Sequence, residues 1–330
     1  MNFEISLIIV FAIGFITTLI VTPFFIKRMK LQGLVGKDMN KLNKPSVAEL
    51  GGIPIMLGFA FAIMASIFLH SFLKIIDLNL TVLFAGFATI FFMGFLGVID
   101  DLIGWKKGIR QYQHALVPIV AALPLMAIGV GVTSMNLPLI GVIEFGIIYS
   151  LILVPLGISG ASNATNMLAG LNGLEAGLGI LMASTMLVIA IMSNHFEAAI
   201  LMIALISVLI AFLKFNWFPA KIFPGDAVTL MTGASIATAA IIMNAEKFGI
   251  LLIALFFIEF IIKFKHRFQS ECFGIPQKNG TLKPSQKGGS LTHWIMNRGN
   301  FTEKQVVLII LAAQVIVCII TFAYFYFFHY

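Results

Sequence analysis

Apolar stretches of roughly bilayer-spanning length recur along the whole chain, each near the ~20 residues a helix needs to cross a membrane. Composition agrees: 60% of the 330 residues are hydrophobic and only 11% are charged, roughly half the charged fraction of a soluble domain. The expected fold is all-α, a polytopic membrane protein forming one integral domain over 1–330. Ten spans are expected, at 3–26, 51–73, 80–99, 113–130, 142–160, 174–193, 196–213, 226–243, 247–262 and 305–328.

The cations orient those spans. Nineteen of the 21 Lys and Arg fall in alternate connections: six in 27–50, three in 100–112, none in 161–173, two in 214–225 and eight in 263–304. The opposite connections hold only Lys74 and Lys247. The positive-inside rule then makes the first set cytoplasmic and puts both termini outside. The basic balance of +7 thereby has a topological use, and no nucleic-acid partner is implied. Lys27, Arg28 and Lys30 follow the first apolar run instead of preceding it. That order is the reverse of a signal peptide and reads as a retained first helix. Cys272 and Cys318 form no CxxC and have no zinc-type spacing with His, so neither a disulfide nor a structural metal is indicated. The loop 263–304 is the only stretch able to form a small element outside the membrane.

Chemistry-bearing residues gather in the cationic connections. Asp100–Asp101 end the third span, where a carboxylate drawn into the bilayer costs ~2.5 kcal/mol or more. Adjacent helical positions diverge, so the pair can serve different partners, a metal and a nucleophile for example. Crowding also suits one of them to act as a base, and a solvated helix end is the plain alternative. The segment NATNMLAGLNGLEAG brings Asn163, Asn166, Asn172 and Glu175 between two apolar spans. Neutral oxygen donors of this kind suit a hard cation or the edge of a nucleobase, although Asn and Gly also cap and break helices. In NWFPAKIFPGD, Asp226 is a candidate N-cap of the eighth span and equally a candidate Mg²⁺ ligand, and Phe223 can stack on a base.

The first connection carries Asp38, Asn40, Lys41 and Glu49 but no GxxxxGK[ST] phosphate loop. The last offers Lys263, Lys265, His266, Arg267, Lys278, Lys283, Lys287 and His293, most of them suited to anionic lipid head groups and a minority to phosphates. Glu259, inside the ninth span, must reach the interface or pair with a neighbour. Carboxylates, amides and cations at the mouth of a lipid-embedded bundle fit phosphoryl transfer, which needs positioning, Mg²⁺ and charge neutralisation. The membrane setting suggests that one substrate is a lipid.

Across nearly its whole length, and most specifically in NATNMLAGLNGLEAG and NWFPAKIFPGD, the chain resembles the polyprenyl-phosphate N-acetylhexosamine-1-phosphate transferase family. It is most similar to the dolichyl-phosphate GlcNAc-1-phosphotransferase branch, to which Asp38–Met–Asn40–Lys41 also corresponds. Ala169 and Asn172 stand where bacterial relatives usually carry acidic residues, which argues against the muramoyl-pentapeptide enzyme. The short loop before the last span leans archaeal.

The resemblance implies that UDP-GlcNAc and dolichyl (polyprenyl) phosphate give GlcNAc-diphosphodolichol and UMP, the first step of lipid-linked oligosaccharide synthesis for protein N-glycosylation. It implies Mg²⁺, with Mn²⁺ as a substitute, on Asn166 and Asp226. Asp100 or Asp101 would orient or deprotonate the lipid phosphate, and Arg110 would stand beside phosphate. Asn172 and Phe223 match positions near uracil, and His266 and Arg267 resemble the basic motif reading the sugar. Asp38, Asn40, Glu49, Asn163 and Glu175 complete the expected substrate contacts. The implied setting is the cell membrane, or the endoplasmic reticulum membrane in a eukaryote, with the active site cytoplasmic and a homodimer among the expected assemblies.

Three rivals remain at this point. Another UDP-N-acetylhexosamine would use the same machinery. An intramembrane aspartyl protease would need GxGD, but Phe223 replaces its first Gly and no Tyr-Asp is present. A secondary transporter of a phosphorylated or lipid substrate should gather its polar residues near the bilayer midplane, whereas these lie at one edge.

Overall fold

The computed structural model describes residues 2–104, 119–131, 134–137, 141–285 and 288–329. Twelve helices occur among them: α1 Asn2–Leu31, α2 Gly52–Ser71, α3 Leu80–Gly104, α4 Leu123–Ala127, α5 Val154–Met167, α6 Leu174–Met192, α7 Phe196–Asn216, α8 Gly225–Ile242, α9 Glu246–Leu252, α10 Ala254–Lys265, α11 Leu291–Met296 and α12 Glu303–His329. Three antiparallel hairpins join them: β1 Val35–Lys37 with β2 Ser46–Ala48, β3 Ser134–Leu137 with β4 Gly141–Glu144, and β5 Gly274–Pro276 with β6 Leu282–Pro284.

Among the described residues, seven helices are long and apolar enough to cross a membrane: Asn2–Leu31, Gly52–Ser71, Leu80–Ile103, Leu174–Met192, Phe196–Asn216, Gly225–Ile242 and Glu303–Phe328. Large apolar side chains stand exposed along the outer helices, among them Ile20, Phe68 and Phe327, as a surface bathed in lipid requires. The other three expected spans differ. Of 113–130, residues 113–118 lie outside the described ones, and 119–130 hold the short helix α4. The stretch 142–160 begins in β4, turns at Gly146 (φ +55°), passes through a π-helical turn at Tyr149–Leu153 and enters α5 with Pro155 in its first turn. The stretch 247–262 breaks at Ile253 into α9 and α10. There the buried Gln314 of α12 donates to the carbonyl of Leu252 at 3.0 Å, which satisfies a backbone acceptor the break would otherwise leave bare.

Helix α8 is the axis of the bundle and packs against α3, α5, α6 and α7. Of its 18 residues only Gly225, Asp226 and Ala237 escape full burial. Its sequence, GDAVTLMTGASIATAAII, explains how: small side chains let neighbouring backbones come close, the source of cohesion between helices where lipid removes the hydrophobic drive. A Cβ on Gly97 of α3 would lie 2.3 Å from the Ala227 Cα, and one on Gly233 would lie 2.4 Å from the carbonyl oxygen of Ala161 in α5. Both contacts exclude even alanine without a shift. Gly225 and Asp226, left open at the first turn of α8, mark where the core meets a cleft.

Candidate active site

The chain turns into α8 through Phe223–Pro224–Gly225–Asp226, with Gly225 at φ +69°. Pro224 occupies the cap position and has no side chain to cap with. A carboxylate from another helix caps the turn in its place, since Oδ1 of Asp101 accepts the Asp226 N–H at 2.8 Å. Asp226 is therefore not the N-cap that its position suggested. Its carboxylate instead lines an open cleft of about 380 Å³, within the range of small-ligand sites. Asp101 packs over Gly225 so tightly that a Cβ there would lie 2.2 Å from Oδ2. Asp100 is buried. Neither residue of the pair is among those lining the cleft, so Asp101 acts on it through the Asp226 backbone.

Asn166, in the last turn of α5, faces the same cleft. The Thr229 hydroxyl lies 2.8 Å from Asn166 Oδ1 and 3.0 Å from the carbonyl oxygen of Asp226, one turn earlier in α8. Asn166 and Asp226, the expected metal pair, are thus joined through one hydroxyl. Among the described residues no cluster of three or more His, Cys, Asp or Glu could hold a metal. One carboxylate and one amide oxygen fit a hard cation that takes its remaining oxygens from water and a phosphate ligand, as Mg²⁺ does. They do not fit a zinc cage.

The connection from α5 to α6 forms a second wall. Gly170 (φ +103°) and Gly173 (φ +85°) adopt the left-handed turns that only glycine takes freely. Side chains from other elements satisfy the loop's backbone. Glu175 Oε1 accepts the Gly170 N–H at 2.6 Å, Asn216 accepts from Gly173 at 3.1 Å, and Asn40 donates to the Gly170 carbonyl at 3.0 Å. Asn172 donates its amide to Asp38 at 3.0 Å, and its N–H to Glu303 at 2.8 Å. Lys41 pairs with Glu303, and with Asp38 at 3.1 Å. Asn40 also accepts the Gly274 N–H at 2.9 Å. Five segments far apart in sequence, at 38–41, 170–175, 216, 274 and 303, are clasped by one polar network. Glu303 is the member that sequence reasoning missed, since a lone acidic residue at the start of an apolar run reads as a solvated end.

The third wall is the 214–225 connection, docked by Phe223 N–H to the Ala48 carbonyl at 2.8 Å and Gly51 N–H to the Phe223 carbonyl at 3.0 Å. Asp38, Asn166, Asn172, Glu175, Phe223 and Asp226 all line the cleft. Other expected residues stand back from it. Glu49 is half-buried behind Gly36 and Phe223, where burial raises its carboxyl pKa. Asn163 turns to its own helix, donating to the Ser159 carbonyl at 2.9 Å, and Asn40 serves the clasp. His266 bonds to the Ile262 carbonyl at 2.9 Å, and Arg267 is exposed at φ +54°; neither is among the lining residues. Arg110 and Lys287 lie outside the described residues. Among the described residues, the basic ones that line the cleft are Lys37 and Lys263.

Residues 80–244 match the model of glycosyl transferase family 4. The chain is 38% identical to a Sulfolobus acidocaldarius protein, and the match covers 93% of each chain. That relative is provisionally named a UDP-N-acetylglucosamine–dolichyl-phosphate N-acetylglucosaminephosphotransferase. A Saccharolobus solfataricus protein of the same provisional name is 36% identical, again over 93% of each chain. A phospho-N-acetylmuramoyl-pentapeptide-transferase of Latilactobacillus sakei is 33% identical over 74% of this chain and 78% of its own.

Proposed function

The chain belongs to glycosyl transferase family 4, and we propose that it transfers GlcNAc-1-phosphate from UDP-GlcNAc to dolichyl (polyprenyl) phosphate. A lipid-phosphate oxygen bonds to the β-phosphorus of the donor, the bond from that phosphorus to the bridging oxygen breaks, and UMP leaves. The observation that carries the reading is the meeting of Asn166, Asp226, Asn172 and Phe223, from separate connections, in one cleft. It lies at the bundle edge where the cationic connections converge. The relatives covered almost end to end carry names for this same reaction.

In this reading Asn172 and Phe223 hold the uracil, Asp38 sets the Asn172 amide, and Glu175 fixes the loop between them. Asn166 and Asp226 would hold Mg²⁺, which supplies neutralisation of the diphosphate when bound. Asp101 positions Asp226, and Asp100 or Asp101 would orient or deprotonate the acceptor phosphate. The ten-span topology, with both termini outside and the cleft facing the cytoplasm, rests on the distribution of cations. It gives a multi-pass protein of the cell membrane whose donor is water-soluble and whose acceptor arrives through lipid.

The test is UMP release by purified protein given UDP-GlcNAc, Mg²⁺ and dolichyl phosphate. Release that needs both the lipid phosphate and the metal supports the transfer. Release with another UDP-N-acetylhexosamine in place of UDP-GlcNAc revises the sugar alone. A second reading, favoured by the Latilactobacillus relative, predicts turnover with UDP-N-acetylmuramoyl-pentapeptide. Silence with every donor defeats the transferase reading.

A further inference from the structure

Glu259, on α10, is fully buried. Its Oε2 accepts the Leu291 N–H at 2.7 Å, and its Oε1 lies 3.6 Å from the Lys263 ammonium and 3.5 Å from the Cys272 thiol. One carboxylate thus ties α10 to the start of α11 and to the 270–274 segment, and sets the cation one turn along its own helix. The Lys263 ammonium donates to the Met167 carbonyl at 2.5 Å, immediately after Asn166. An ammonium has three N–H donors. One is engaged by the Met167 carbonyl, Glu259 contributes an ion-pair contact beyond hydrogen-bond reach, and the remaining donors have no hydrogen-bond partner among the described residues. The side chain is only 13% exposed, and it lines the cleft with Asn166, Asp226 and Cys272.

We propose that Lys263, oriented by Glu259, binds the diphosphate of a nucleoside-diphosphate donor in this cleft. The inference rests on the reading of the cleft as a donor site and adds a residue to it. Lys37, the other lining cation, is exposed on a hairpin strand and has no comparable scaffold. Lys263 has a buried counter-ion, an anchoring carbonyl beside a candidate metal ligand, and donors left for an anion. Desolvation strengthens such a charge-assisted bond. An ammonium that served only the free carbonyls at the end of α5 would contribute to stability alone. Binding measurements separate the two roles.

Calorimetry would compare UDP with uridine, without lipid, on the wild type, K263Q and K263R. The glutamine keeps a donor for the Met167 carbonyl and removes the charge. K263Q is expected to weaken UDP about tenfold and leave uridine unchanged, and K263R to restore most of the UDP affinity. Equal losses for UDP and uridine, or none for either, overturn the proposal. So does a raised KM for the lipid phosphate with UDP binding intact. On the unmodified protein, UDP but not uridine should slow acetylation of Lys263 by an amine-reactive ester, read by mass spectrometry. Equal rates with both ligands overturn the proposal even if K263Q does not fold. A wild type that binds neither ligand removes the donor-site reading and this inference together, whereas UDP binding that survives K263Q removes this inference alone.

Discussion

At Gly225 one hydrogen atom in place of a methyl group decides how two helices meet. The Asp101 carboxylate caps α8 across that hydrogen, and the backbone there is left-handed. Gly225→Ala adds a clash at 2.2 Å and a conformation that costs alanine about 1 kcal/mol or more. It should lower both the unfolding temperature and turnover. Asp226→Asn keeps the same backbone N–H for Asp101 and changes only the side chain facing the cleft. It should unfold at the wild-type temperature and lose nearly all UMP release. The two variants separate construction of the turn from its chemistry, and a turnover near wild type in Asp226→Asn would remove Asp226 from the site.

A second residue-scale expectation concerns pH. His293 is buried, with Nε2 2.8 Å from the Phe273 carbonyl and Nδ1 without a partner. Burial lowers its pKa below the ordinary 6.5, against weaker opposing effects from the Phe273 carbonyl and Glu259. Above that value the ring is neutral whether the segment is closed or open. As pH falls through 6.5 the open segment takes up a proton first, so the closed form loses stability. Hydrogen exchange in 270–296, corrected for its intrinsic rate, should therefore accelerate below about pH 6.5. The acceleration should be absent in His293→Gln, whose amide can still donate to Phe273.

At the scale of elements, periodicity and charge made most of the bundle legible. Seven of the expected spans coincide with helices long enough to cross a membrane. The failures have local causes. No Pro or Gly lies within three residues of the break at Ile253; beside it stands Gln314, 61 residues away in the chain, a partner no local window can see. The lining of the cleft was legible where a motif carried several polar residues together, as with Asn166, Asn172, Phe223 and Asp226. It was misread where adjacency in sequence stood in for direction in space. His266 and Arg267 follow α10 on its exposed side, while Lys263, a turn earlier, faces the cleft. Glu303 was missed for the same reason, since its value lies in partners from the 27–50 and 161–173 connections.

That clasp makes a prediction of its own. Glu303 is 2% exposed and Lys41 18%. Truncating one member strands the other's charge, at a cost of up to about 3–5 kcal/mol where burial is complete and less for the partly exposed Lys41. Lys41→Ala should therefore lower the unfolding temperature more than the double variant Lys41→Ala/Glu303→Ala. An additive loss would mean that the pair contributes no coupling.

At the scale of the whole molecule, the cations and the cleft agree on a direction. A water-soluble nucleotide donor is available only on the side where it is made, so a cleft at the other face would have nothing to bind. The hairpin β1–β2, Lys263 and the 214–225 connection all border the cleft or belong to cation-rich connections, and Lys74 lies in the connection between α2 and α3 at the opposite ends of those helices. Lys44 and Lys74 are both exposed, and each can be replaced by cysteine without touching the core. In intact cells a membrane-impermeant maleimide should label Lys74→Cys at once and Lys44→Cys only after permeabilisation, above the background from Cys272 and Cys318. Cys272 is buried and Cys318 lies part-buried within an apolar helix, so that background should be low. The reverse order of labelling would turn the cleft outward, and a cytoplasmic nucleotide could then no longer be its donor.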